Sequence, residues 1–331
     1  MKILVIGCGS IGERHINNIK SMALSEVIAC EQDDRRLEYI KEKYKIKAFK
    51  DYEKALADEA IDATLVCTTT TNHITPALAA VKRGSHVFIE KPISHNLEGI
   101  DDLIKEARER NLILMTGFNY RFHPELQSIK ALLDTGAPGK LISARLHCGT
   151  NFLYRVPFHK GKDYRQEYAA QEIGGGVILD TATHFIDCMM WFFNDVEEVF
   201  CYSGKMGSLD LKAEDFAEIL LKFKNGIIAS IHVDFIQKPF QKKCEIMGEA
   251  GTVDWDGVDG KVKFIAASSD EWQDIEVKDK TRDMYIEEIK HFIRCIKGEE
   301  TPVADMTAGK RVLEIALAAK KSAATGRAVK V

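Results

Sequence analysis

Along the first 120 residues, short runs that are apolar at nearly every position alternate with longer stretches whose apolar residues recur every three or four positions. The runs at 2–6, 26–30, 46–48, 62–67, 86–90 and 112–116 predict strands, and the stretches at 11–21, 34–44, 51–57, 73–83 and 96–110 predict helices. Ile3-Leu4-Val5-Ile6 shows no polar alternation, as a strand covered on both faces requires. Strand and helix in strict turn give a parallel sheet flanked by helices. Gly84 closes the helix ending near Arg83, and Asn96 is placed to cap the next one.

After Pro124 the pattern changes. A helix at 124–134 leads into a strand at 141–147, an irregular segment at 149–172 and a helix at 178–193. Alternating strands follow at 196–204, 214–224, 227–236 and 242–248, and Asn225-Gly226 between two of them predicts an antiparallel hairpin. Helices at 281–297 and 305–324 close the chain. The expected fold is an α/β Rossmann dinucleotide-binding domain, residues 1–121, followed by an α+β domain, residues 122–331, with a large, mainly antiparallel sheet.

Composition narrows the function classes. The 331 residues suit about two domains, and a formal charge of −4 gives no electrostatic reason to expect nucleic acid or a membrane surface. No apolar run approaches the ~20 residues of a membrane span. The eight cysteines are scattered singly without a Cys-x-x-Cys pair, so reduced core thiols in a cytoplasmic protein are expected, with no metal.

The chemistry begins at Gly7-Cys8-Gly9-Ser10-Ile11-Gly12, which follows a strand and opens a helix. Gly7 permits the tight turn, Gly9 the approach of a diphosphate, and Gly12 close packing of helix on sheet, with Ser10 and Ile11 at the helix start. Glu31, at the end of the second strand, is placed to accept the ribose hydroxyls, which favours NAD; Arg35 and Arg36 are read as solvated, and would be the route to NADP. Thr68, Thr69, Asn72 and His73 cluster at the end of the fourth strand and suit either cofactor contacts or an ordinary helix cap. Glu90 and Lys91 end the fifth strand, where a movable cation meets the nicotinamide end of a dinucleotide. In Gly174-Gly175-Gly176-x-x-x-Asp180-x-x-x-His184, the last two residues lie four apart and share a helical face. The glycines before them permit close approach of a ligand or of the other domain.

Taken in order, these motifs, with Gly117-Phe118-Asn119-Tyr120-Arg121-Phe122-x-Pro124 and a closing alanine-rich helix, resemble the Gfo/Idh/MocA family of sugar and cyclitol dehydrogenases along nearly the whole chain. The resemblance implies that Lys91, Asp180 and His184 form the catalytic constellation. It also implies an open-faced second-domain sheet used to form a homodimer or homotetramer. Thr181-Ala182-Thr183 departs from the glycine or serine many members carry, which puts the floor of the substrate pocket in question.

The implied reaction moves a hydride between nicotinamide and a secondary hydroxyl or ketone of a carbohydrate-like substrate. His184 takes the hydroxyl proton, Lys91 stabilises the oxygen, and Asp180 orients substrate or histidine. Asn119 and Tyr120 are candidate substrate contacts, and Arg121 either joins them or forms a structural salt bridge. The segment 151–168, with Arg155 and Arg165 among interleaved aromatics, suits an anionic sugar or nucleotide-sugar, or else covers the sheet or a neighbouring subunit. Two other readings stand beside this one. They are a redox-cycling NAD-dependent glycoside hydrolase or transferase, which would not release NADH, and a non-catalytic dinucleotide sensor, against which intact Lys91 and His184 argue.

Overall fold

A computed structural model describes residues 1–23, 25–153 and 163–331. Its contacts divide the chain into two compact units, Met1–Asn119 with Asp283–Leu313, and Tyr120–Arg282 with Glu314–Val331. The break after Asn119 lies two residues from the expected boundary. Asp283–Leu313, expected in the second domain, packs with the first unit instead.

The first unit is built on six parallel strands: β1 (Lys2–Ile6), β2 (Glu26–Cys30), β3 (Lys47–Phe49), β4 (Ala63–Val66), β5 (His86–Glu90) and β6 (Leu114–Gly117). Their order, β3-β2-β1-β4-β5-β6, reverses direction at β1, so the crevice at the strand ends opens between β1 and β4. The crossovers run through α1 (Ser10–Met22), α2 (Asp34–Tyr44), α3 (Tyr52–Asp58), α4 (Ile74–Lys82) and α5 (Ile100–Glu109). Every residue of β4 is buried, as a doubly covered strand demands. Helix α5 starts later than expected, after Gly99, because Asn96 turns its side chain onto the Glu98 amide (3.1 Å) rather than capping a helix.

In the second unit α6 (Pro124–Asp134) leads to β7 (Leu141–Gly149). A π-helical turn, Ile178–Ala182, then runs into α7 (Thr183–Phe193). Among the described residues nine strands make one sheet. They are β7, β8 (Val196–Gly204), β9 (Phe216–Phe223), β10 (Ile228–Asp234), β11 (Gln241–Gly248), β12 (Gly251–Asp256), β13 (Lys261–Ala266), β14 (Gln273–Asp274) and β15 (Val329–Lys330). All pairs are antiparallel except β7 with β10. The Asn225-Gly226 hairpin forms as expected between β9 and β10, with Gly226 at φ +88°. Along β9 exposed and buried residues alternate, so one face packs on helices and the other is open. Strands β12 to β14 extend the sheet beyond β11, its expected edge, and β15 adds to the other edge beside β8.

Two late helices complete the chain. Helix α8 (Met284–Ile296) covers α1 and β5 in the first unit, where Phe292 meets Phe88 at 5.7 Å and Arg14 lies 4.3 Å over Tyr285. Helix α9 (Met306–Thr325) carries the division between the units after Leu313. No helix among the described residues is long and apolar enough to cross a membrane.

Helix α7 buries nearly all of its surface, yet it contains Asp187. Arg121 reaches that carboxylate with Nε (3.0 Å) and Nη2 (2.7 Å). Burial raises the Asp187 carboxyl above its usual range, and the guanidinium opposes that rise. Arg121→Met would leave the acid sealed without this partner, and should cost about 3 kcal/mol in urea unfolding. A midpoint unchanged from wild type would refute that role.

His123, beside the Tyr120 and Trp255 rings, is pulled from 6.5 to about 4 by burial, with the charge of Lys242 adding to it. The unfolded chain therefore takes up a proton between pH 6.5 and about 4 that the folded chain refuses. Stability should fall as the pH drops through this window. The slope of unfolding free energy against pH should be shallower there in His123→Phe; an identical slope would count against this assignment.

Candidate active site

The glycine loop shows three distinct physical roles. Gly7 has φ +85°, and a Cβ there would come within 2.8 Å of the Cys67 carbonyl and the Thr68 amide. A Cβ on Gly12 would collide with the Gly7 carbonyl oxygen. Gly9 is the opposite case: nothing lies within 4 Å of where its Cβ would be. It caps α1 without a side-chain hydrogen bond, leaving the first-turn amides of Ser10, Ile11 and Gly12 to an anion.

Glu31 stands at the end of β2, where its Oε2 accepts from the Cys8 amide (2.9 Å) and its Oε1 from the Asp33 amide (3.1 Å). Arg36 is not solvated as expected. Its Nε donates to the Cys8 carbonyl (2.6 Å), and its Nη2 pairs with Glu13 at 2.5 Å. The guanidinium therefore braces the glycine loop from outside, while Arg35 is exposed.

At the end of β4, Thr68 donates to the Asn72 carbonyl (2.9 Å) and Asn72 to the Thr69 hydroxyl (3.1 Å), so these side chains stitch their own turn. None of them caps α4. His73 is buried, its ring nitrogens 2.9 Å from the Pro92 carbonyl and 3.0 Å from the Thr68 carbonyl. It ties the β4 turn to the loop after Lys91, which makes it a brace within the first unit. Glu90 is also buried; it accepts from His15 Nε2 (2.7 Å) and from the Lys91 amide (3.2 Å). Thus α1 fixes the backbone at Lys91 through a side-chain pair that no local pattern in the sequence reveals.

In the second unit, Asp180 lies in the π-turn and is buried, with Tyr168 Oη donating to Oδ1 and the Thr181 hydroxyl donating to Oδ2 (3.1 Å). His184, one turn on, is half-buried and stacks on Tyr120 with ring centres 4.5 Å apart. The expected plain helix is therefore wider at its start, a form found often at functional sites. Thr183 turns its hydroxyl back onto the Leu179 carbonyl (2.8 Å), so both threonines of the departing triplet serve their own helix. Gly175 and Gly176 make room for unit-internal neighbours: a Cβ would strike the Tyr168 carbonyl and the Glu214 carboxylate respectively. Glu214 in turn approaches the Ile178 amide at 3.4 Å.

The remaining expected contacts divide. Asn119 is buried with its amide 3.6 Å from Met284 Sδ. The Nε and Nη2 of Arg121 are engaged by Asp187, as the salt-bridge alternative foresaw. Arg165 is exposed and chelated by Asp163 through Nε (2.9 Å) and Nη2 (2.5 Å), which offsets its charge. Arg155 lies outside the described residues. Lys91 belongs to the first unit, Asp180 and His184 to the second.

Residues 1–118 match the oxidoreductase family model with an NAD-binding Rossmann fold, and residues 126–254 match the GFO/IDH/MocA C-terminal domain. Myo-inositol 2-dehydrogenase of Thermotoga maritima is 32% identical, covering 100% of this chain and 98% of its own. The chain belongs to the Gfo/Idh/MocA family.

This Gfo/Idh/MocA protein is an NAD-dependent oxidoreductase. It is also 26% identical to UDP-N-acetylglucosamine 3-dehydrogenase of Acidithiobacillus ferrooxidans, over 96% of this chain and 95% of the relative. The WlbA dehydrogenase from Bordetella pertussis, solved with NADH and UDP-GlcNAcA, shares its fold at a TM-score of 0.86 and 22% identity, with 100% and 97% of the two chains covered. The first unit fits the dinucleotide, since Gly9 leaves open the space a side chain would fill and the first turn of α1 lacks a side-chain cap.

Gly9→Ala and Gly12→Ala should therefore separate binding from folding. Gly9 has φ −62°, which alanine adopts, so the variant should melt like wild type yet bind NADH at least about tenfold more weakly by fluorescence titration. Gly12→Ala should lower the melting temperature itself. Wild-type NADH affinity in Gly9→Ala would remove the glycine loop from the cofactor site.

Proposed function

We propose that this enzyme oxidises a secondary hydroxyl of a neutral cyclitol or sugar ring and prefers NAD to NADP. The observation that carries the reading is the pair on the catalytic helix: a buried, hydrogen-bonded Asp180 carboxylate one turn before a half-buried His184. The names of relatives at full coverage, myo-inositol 2-dehydrogenase above all, support a polyol ring as substrate. The ion pair of Arg165 with Asp163 weakens the case for an anionic one. Glu31 at the end of β2 supports NAD, because a carboxylate there repels a 2′-phosphate.

The bound dinucleotide supplies the hydride acceptor. His184 accepts the hydroxyl proton, a task suited to an imidazole titrating near neutrality. Lys91 donates a hydrogen bond to the same oxygen and stabilises the charge that develops on it. Asp180, held by Tyr168 and Thr181, fixes the orientation of the ring hydroxyls or of His184. Exposed Tyr202, Leu220, Ile228 and Met247 on the sheet support association of copies through its open face. Eight buried cysteines, none bridged, support a reducing, cytoplasmic setting.

The test is NADH formation, read by absorbance, against cyclitols, free sugars, uronates and nucleotide-sugars, with NAD or NADP. Turnover should be highest with a neutral polyol and NAD, and NADH should be released. Lys91→Ala should lower kcat by roughly 10²–10³-fold. In His184→Asn the acid limb of kcat/KM near neutral pH should vanish. Activity confined to nucleotide-sugars or uronates would overturn the substrate assignment, and an acid limb that survives in His184→Asn would move the base elsewhere.

A further inference from the structure

Strand β11 places two lysines side by side, and they go opposite ways: Lys243 is exposed while Lys242 points into the core. The Lys242 ammonium lies 4.3 Å over the ring of Tyr120 and 5.2 Å over that of Trp255. Among the described residues no carboxylate is in ion-pair contact with it. Glu125, the nearby acid, is bonded instead to the indole Nε1 of Trp255 at 2.7 Å. Burying a cation against aromatic faces is costly, and an apolar side chain would satisfy this position on packing grounds alone. The charge therefore asks for a use.

The Tyr120 ring is the same ring on which His184 stacks. The ammonium and the imidazole centre are consequently no more than about 9 Å apart. We propose that Lys242 is a positioning residue for proton transfer at His184: its buried charge, held over the Tyr120 ring on which the imidazole stacks, keeps that imidazole neutral and ready to accept a proton. This rests on the reading of His184 as the base.

The other groups around His184 make the need plain. On its own helix Asp180 lies one turn before it and favours the imidazolium, while Asp187 is neutralised by Arg121 and the Cys188 thiol is held protonated by burial. Tyr168 binds Asp180. From the segment opening the second unit come Tyr120 itself and His123, which is neutral near pH 7. Glu125 is engaged with Trp255. Within this unit Lys242 is then a buried cation that opposes Asp180; the charge of Lys91, in the first unit, acts on the substrate oxygen. Burial lowers its own proton affinity as well, and the two aromatic faces retain the charged form.

The test compares Lys242→Met, Lys242→Arg and wild type in the full-length enzyme with NAD and its best substrate. Two readouts are followed: the pH profile of kcat/KM, and the titration of the His184 ring by NMR, assigned with His184→Asn. In Lys242→Met both midpoints should rise by about one pH unit, a roughly tenfold tighter hold on the proton, with the high-pH plateau little changed. Lys242→Arg should keep both near wild type. A His184 midpoint that stays put in a folded Lys242→Met overturns the proposal, as does loss of the limb altogether, which would make Lys242 the titrating group. A ring midpoint that moves while the limb does not would instead remove His184 from proton transfer and leave the coupling intact.

Discussion

A polar side chain sealed from water without a partner costs several kcal/mol, and that penalty organises the segments that carry chemistry here. Asp187 on the apolar α7 is held by Arg121, Glu90 by His15, His73 by two carbonyls, and Asp180 by Tyr168 and Thr181. Each pair joins stretches distant in sequence or fixes a loop end. The consequence is that the chemistry-bearing residues stand on backbone whose position is over-determined. Lys91 follows a residue pinned to α1, and His184 stands three residues before one pinned to the turn after β6.

Those pairs also mark the limit of what the sequence alone discloses. The parallel sheet and the glycine loop were legible because each depends on neighbours: continuous apolar runs, a turn, a helix start. The hairpin at Asn225-Gly226 was legible for the same reason. Glu90 and His15 are separated by the whole of strands β2, β3 and β4, and nothing local to either announces the other. Arg36 carried a solvent-facing reading, and instead folds over the Cys8 carbonyl. Strands β12 and β13 were missed because glycine and charged residues interrupt them, and only their burial against α6 and β11 makes strands of them. The return of Asp283–Leu313 to the first unit is likewise a tertiary fact, carried by contacts such as Phe292 on Phe88.

The start of α7 was half legible. Four-residue spacing placed Asp180 and His184 on one face, and that survives the π-turn because its wider winding still brings such positions close. The spacing says nothing of the aromatic partner, for Tyr120 lies 64 residues earlier. Nor could alternation along Gln241–Gly248, which puts Lys242 on the face of Cys244 and Ile246, tell that its ammonium would end over the rings of Tyr120 and Trp255.

That last placement bears on how such a site is balanced. A carboxylate beside a histidine makes the imidazole a better proton holder but, at neutral pH, a less available acceptor. A second charge of opposite sign corrects this only if it cannot be screened by water or collapse onto the carboxylate. Lys242 meets both conditions, since it is buried and its nearest partners are rings rather than acids. Tyr120 then does two things at once: it packs flat against His184, fixing the plane of the imidazole, and its ring also holds the ammonium close to that imidazole. A tyrosine replaced by a small residue would lose both functions together, so the stacking and the electrostatics of this histidine are one structural feature and not two.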